Sequence, residues 1–134
     1  MVQIPAFLSR QTDLIIESAK HFPIINVKKG QWLGPNNLVA SVDKIKETNE
    51  NCQAWICDRG SNFGYHDLFV NFGIVDELKQ HYDKVILDCT HSTQRSRTVH
   101  GKQGEESVSD GECLIPLNQL EGLINKARAV GNIE

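Results

Sequence analysis

The stretch Ala54-Trp55-Ile56-Cys57-Asp58-Arg59-Gly60-Ser61-Asn62-Phe63-Gly64-Tyr65 decides how this chain is read. Its first four residues are an apolar run of strand length. The run stops at an acid and an arginine, and two glycines punctuate the polar and aromatic residues that follow. A strand that ends in charge and passes into a glycine-bearing loop is how α/β enzymes present polar groups above a sheet. Taken alone, the stretch leaves equally open a polar loop that only caps a strand. Two other strands end in the same way, and that repetition favours the site reading.

Upstream, Val2-Gln3-Ile4 reads as a strand and Pro5 to Ser9 as the turn out of it. A helix follows, with Thr12 as its N-cap and Leu14, Ile15, Ile16 and Ala19 on its inner face. Ile24-Ile25-Asn26-Val27 is the next strand and runs into Lys28-Lys29-Gly30. Gly34-Pro35-Asn36-Asn37 opens a second helix, in which Leu38, Val39, Val42 and Ile45 fall on one stripe. Downstream, Ile74, Val75 and Leu78 mark a third helix reaching about Tyr82. Val85-Ile86-Leu87 is the fourth strand and ends in Asp88-Cys89-Thr90-His91. Residues 92–112 are polar and aperiodic, and a loop of that length inside a compact domain is either functional or flexible. A last helix runs from Pro116, suited to its first position, to about Val130, with Leu117, Leu120, Leu123, Ile124 and Ala127 as its apolar face.

Strands alternating with helices indicate βα units and a parallel sheet, and in that architecture sites lie at the carboxyl ends of the strands. Those ends supply Lys28 and Lys29, then Asp58 and Arg59, then Asp88 and His91, with Arg10 in the first βα connection. Cations gathered on one rim suit an anionic substrate carrying phosphate or carboxylate. Asp58 and Asp88 could equally orient neighbours or touch substrate, and Lys29 could simply support Lys28. Cys57 and Cys89 read as packed thiols.

The chain has 134 residues and a formal charge of -3, with a pI of about 5.9. One domain over residues 1–134 is expected. No global basic field points to nucleic acid or an anionic membrane, so an anion must be held by local cations. Cys52, Cys57, Cys89 and Cys113 show no C-x-x-C pairing, the pattern of reduced thiols in a cytoplasmic protein. No apolar run approaches the roughly 18 residues that span a bilayer, so the expectation is a soluble protein without a membrane partner.

At these residues the sequence resembles the 3-deoxy-D-manno-octulosonate 8-phosphate synthase (2-dehydro-3-deoxyphosphooctonate aldolase) family. The segments that carry the likeness are residues 3–14 (QIPAFLSRQTDL), 25–29 (INVKK), 57–65 (CDRGSNFGY), 88–94 (DCTHSTQ) and 109–111 (SDG), in the family's order. The related heptulosonate phosphate synthases and sialic acid synthases resemble the first and third segments much less. The resemblance implies a (β/α)8 TIM barrel, here a partial one of four parallel strands with helices plus a C-terminal helix. Set against that barrel, the chain matches strands four to seven and a closing helix, without counterparts of strands one to three and eight. A barrel of this type takes about 250 residues.

The resemblance further implies an aldol-type condensation of phosphoenolpyruvate with D-arabinose 5-phosphate, for lipopolysaccharide precursor synthesis in the cytoplasm. Carried over position by position, Lys28 and Arg59 grip the phosphoenolpyruvate phosphate and carboxylate. Gln3 and Ala6 line the same pocket, Ala6 through its backbone, and Asn62 and Phe63 shape it. Arg10 reaches a neighbouring subunit's site to hold the pentose phosphate, which implies a homo-oligomer (a tetramer in the family). His91 ligates a divalent metal (zinc, iron or manganese) together with Asp110 in metal-dependent members, or sits beside the reacting carbons in the others. The alternative is a catalytically inactive barrel fragment that binds anionic ligands or pairs with a full-length subunit.

Overall fold

The computed structural model describes residues 1–63, 67–92 and 117–129. Four strands, β1 (Val2–Ile4), β2 (Ile24–Lys28), β3 (Gln53–Asp58) and β6 (Lys84–Leu87), form a parallel sheet in the order β1-β2-β3-β6. Helices α1 (Thr12–His21), α2 (Val39–Thr48) and α3 (Val75–His81) make the connections. Neighbouring strands are thus joined by helices in chain order, which is the repeating unit of a (β/α)8 barrel. The fold is α/β, a partial barrel of that type.

β-Branched and aliphatic runs make the strands, and their alternation divides the sheet into two unlike faces. Register places Ile4, Val27, Ile56 and Val85, with Ile25 and Ala54, on the face that packs against Ile15 and Ala19 of α1, Val42 and Ile45 of α2, and Leu78 of α3. Each of these is at least nine-tenths buried, and together they form the core. The opposite face carries Gln3, Asn26, Trp55 and Lys84 in one row, then Lys28, Cys57 and Ile86 in the next. Trp55 and Lys84 meet there, the ammonium 4.6 Å from the ring centroid.

Side chains lock the amino-terminal end of the sheet. Asp83 accepts from the Ala54 N–H at 2.7 Å and from Lys46 at 3.1 Å, fastening β3 and α2 to the start of β6. The Tyr82 hydroxyl donates to the Leu38 carbonyl at 2.8 Å in the core, and burial raises its pKa. With Asp13 in its first turn and Lys20 and His21 in its last, α1 has charges that suit its dipole.

Four features differ from the sequence expectation. Thr12 is the first residue of α1 and Gln11 its N-cap, with no side-chain cap bond. Leu14, expected on the inner face, is exposed, because the inward stripe runs through Ile15, Ser18 and Ala19. Gly34-Pro35 opens a 3-10 turn (Pro35–Leu38) instead of α2 itself; the Gly34 N–H donates to the Asn37 side chain at 2.9 Å there. The stretch after Arg59, read as a loop, forms an antiparallel hairpin of β4 (Ser61–Phe63) and β5 (Asp67–Phe69). Its strands are too short to announce themselves by alternation.

A four-residue helix, α4 (Cys89–Ser92), follows β6, and the last helix is α5 (Leu117–Ala129), close to its expected bounds. The 92–112 segment beyond Ser92, Asp110 and Pro116 lie outside the described residues. So do the side chains of Leu117, Leu120, Leu123 and Ala127. No described helix is long and apolar enough to cross a membrane.

Candidate active site

The carboxyl ends of β1, β2, β3 and β6 are neighbours by register, so the residues that follow them share one rim. Lys28 ends β2 on the face away from the helices, beside Cys57 of β3. Arg59 follows β3 next to the start of the β6 exit, where the Asp88 N–H donates to the Asp58 carbonyl at 2.8 Å. Asp88 is the joint of this rim. Its Oδ2 lies 2.6 Å from the Lys28 ammonium and 2.6 Å from His91 Nδ1, while Oδ1 accepts from the His91 backbone N–H at 3.0 Å. Because α4 begins directly after Asp88, His91 comes round one turn later onto the same carboxylate.

The charges at this rim act on one another. Burial works to raise the Asp88 pKa, but the His91 N–H, the Lys28 ammonium and the His91 ring outweigh it, and the carboxyl sits below its ordinary value. Cys57, 3% exposed, has its thiol pushed up to about 12 by burial first and then by the Asp88 charge, while Lys28 and Arg59 pull the other way. That thiol is packed and protonated, not a nucleophile. Arg59 is itself buried, and its Nε has no hydrogen-bond partner. A buried guanidinium N–H left open in this way costs free energy unless a ligand meets it.

Lys29 belongs to a different assembly. Strand alternation sends it to the helix-covered face, where it is fully buried. Its ammonium lies 3.3 Å from Asp58 Oδ1 and donates to Ser61 Oγ at 3.0 Å, the Gly60 carbonyl at 3.2 Å and the Leu33 carbonyl at 3.4 Å. Asp58 Oδ1 also accepts from the Gly60 N–H at 3.1 Å. The pair therefore ties the root of the β4–β5 hairpin, where Gly60 adopts a φ of +87° that other residues resist. Lys29 is not one of the rim's cations, and Asp58 orients neighbours.

The other expected residues are less closely joined. Gln3 accepts from the Asn26 side chain at 3.0 Å across β1 and β2, on the open face, and Asn26 Oδ1 is buried without a partner. Ala6 is buried in the 3-10 turn after β1, its carbonyl taken by the Ser9 hydroxyl at 2.7 Å. Arg10 is exposed beyond that turn. Asn62 and Phe63 stand exposed on the hairpin, with the Phe63 ring 6.1 Å from that of Phe69. Asp88, which the sequence leaves open between orienting neighbours and touching substrate, contacts both His91 and Lys28 here. Its spacing of three from His91 is the signal for the first contact, and nothing local signals the second.

The metal site that the family likeness implies is not assembled by the described residues. Among them no three His, Cys, Asp or Glu side chains gather to hold an ion. Of the two residues that the likeness assigns to a metal, His91 is among the described residues and Asp110 is not.

A parallel βα sheet with lysine, arginine, histidine and carboxylate at its strand ends defines a barrel-type α/β protein with a charged rim. Residues 1–112 match the model of the DAHP synthetase I family, and the chain belongs to that family. It is also similar to proteins named 2-dehydro-3-deoxyphosphooctonate aldolase. It is 35% identical to those of Shewanella halifaxensis and Shewanella piezotolerans and 33% identical to that of Shewanella baltica strain OS155. Each alignment covers 99% of this chain and 57% of the relative, so the chain spans little more than half their length.

Proposed function

We propose that this chain carries the phosphoenolpyruvate-binding half of a 3-deoxy-D-manno-octulosonate 8-phosphate synthase. The reaction condenses phosphoenolpyruvate with D-arabinose 5-phosphate. C3 of phosphoenolpyruvate attacks the aldehyde carbon, water adds at C2, and inorganic phosphate leaves. The observation that carries the reading is the union of Lys28 and His91 on one Asp88 oxygen, beside the buried and unpartnered Nε of Arg59.

Lys28 and Arg59 neutralise the phosphate and carboxylate, which would otherwise repel the incoming aldehyde and hold the enol in water. Preorganised charge of this kind is usually the largest catalytic contribution. His91, anchored through Nδ1, has Nε2 to hold or move a proton beside the reacting carbons. Gln3 and the Ala6 backbone line the pocket, and Asn62 and Phe63 on the hairpin shape it. Arg10, exposed after β1, reaches the pentose phosphate in a neighbouring subunit of a homo-oligomer. The proposed site works in the cytoplasm. Where a divalent metal takes part, His91 and Asp110 are its ligands.

The test is turnover. Purified chain given phosphoenolpyruvate and arabinose 5-phosphate releases inorganic phosphate, and Arg59→Ala abolishes the release. No release by a folded chain that still binds phosphoenolpyruvate would identify it as an inactive barrel fragment instead.

A further inference from the structure

We infer that Asp88 is a positioning residue that fixes the tautomer of His91 and, through the same oxygen, the place of the Lys28 ammonium. Nothing in the family likeness assigns it a role, and the inference deepens the reading given above.

Three contacts carry it. Asp88 is only 13% exposed, and Oδ2 stands 2.6 Å from both Lys28 Nζ and His91 Nδ1. Oδ1 takes the His91 backbone N–H at 3.0 Å, so the carboxylate grips the histidine at ring and backbone together. A carboxylate oxygen only accepts, which places the proton on Nδ1. In the neutral ring the lone pair is then on Nε2, the atom free to take a proton or meet a ligand. An unrestrained imidazole in water prefers the opposite arrangement, so the choice of tautomer here belongs to Asp88. Histidines that ligate or transfer protons are commonly oriented by such a partner. What is unusual here is that the oxygen is shared. The cation that grips an anion and the histidine beside the reacting carbons are set by one atom, so they keep a constant spacing.

The test is nitrogen-15 NMR of histidine-labelled chain at mildly alkaline pH, with the His91 signal identified from His91→Gln. The wild-type ring is expected to be Nδ1-protonated, and Asp88→Asn to shift it largely to the Nε2-protonated form. An Nε2-protonated ring in the wild type, or an Nδ1-protonated ring unchanged in Asp88→Asn, would overturn the inference. This readout needs no turnover, so it stands even if the proposed reaction fails. In an active chain, Asp88→Asn is expected to lower kcat by about 10- to 100-fold, as for loss of a partner that orients a functional histidine. KM for phosphoenolpyruvate would change by less. A rise in KM with kcat unchanged would contradict the positioning of His91.

Discussion

Lys28 and Lys29 are neighbours in sequence with the same side chain, yet they belong to two different pieces of the molecule. Lys28 sits on the open face of the sheet, 15% exposed, within reach of Asp88 and solvent. Lys29 is sealed on the other face with Asp58, two backbone carbonyls and a serine hydroxyl. The first pair lies at the strand-end rim and keeps some contact with solvent. The second is saturated and holds a hairpin in place. Positive charge at a strand end therefore does not define a site; the face it occupies does.

The difference is sharpest in stability. Lys29→Met leaves Asp58 buried and uncompensated, and is expected to cost about 3–5 kcal/mol. Adding Asp58→Asn should recover much of the loss in urea denaturation. A small effect of Lys29→Met would dissolve the distinction between the two lysines. Next comes the hairpin root. Gly60→Ala forces a side chain into a positive φ, with the new Cβ 3.2 Å from Leu68 Cβ. A loss of about 1–3 kcal/mol is expected in the same assay.

The open face should answer to pH instead. The Asp88 pKa is lowered by folding, so its contribution is fully present above the unfolded carboxyl value of about 4 and is lost as pH falls through the native value. The stability gap between wild type and Asp88→Asn should narrow below that pH. Cys57 has the opposite sign. Its thiol is raised, so its contribution is present below the unfolded value of about 8.5 and is lost as pH rises from there towards about 12. At pH 8 a thiol reagent should modify Cys57 only as fast as the protein unfolds. Rapid labelling of Cys57 itself in the native chain would show that the rim is looser than described.

Much of the frame was legible in the chain. The four strands follow from apolar β-branched runs such as Ile24–Val27 and Val85–Leu87, and the helices from stripes such as Leu38, Val42 and Ile45. What stayed hidden depends on pairing across distance. The hairpin was masked by glycines and three-residue strands. Sequence does not reveal that Lys29 closes on Asp58 and Gly60, since that bond spans some thirty residues. Asp88 was hidden for a different reason: an acid near a histidine is common, and only geometry shows it also holding Lys28.

The most direct test of the account is calorimetric titration of phosphoenolpyruvate into the wild-type chain, Lys28→Ala and Arg59→Ala, each checked for native folding. Lys28 and Arg59 jointly holding the anion predicts measurable binding by wild type and a loss of roughly tenfold or more in each variant, the scale of a charged hydrogen bond. Equal affinity in all three, or none in a folded wild type, would contradict it.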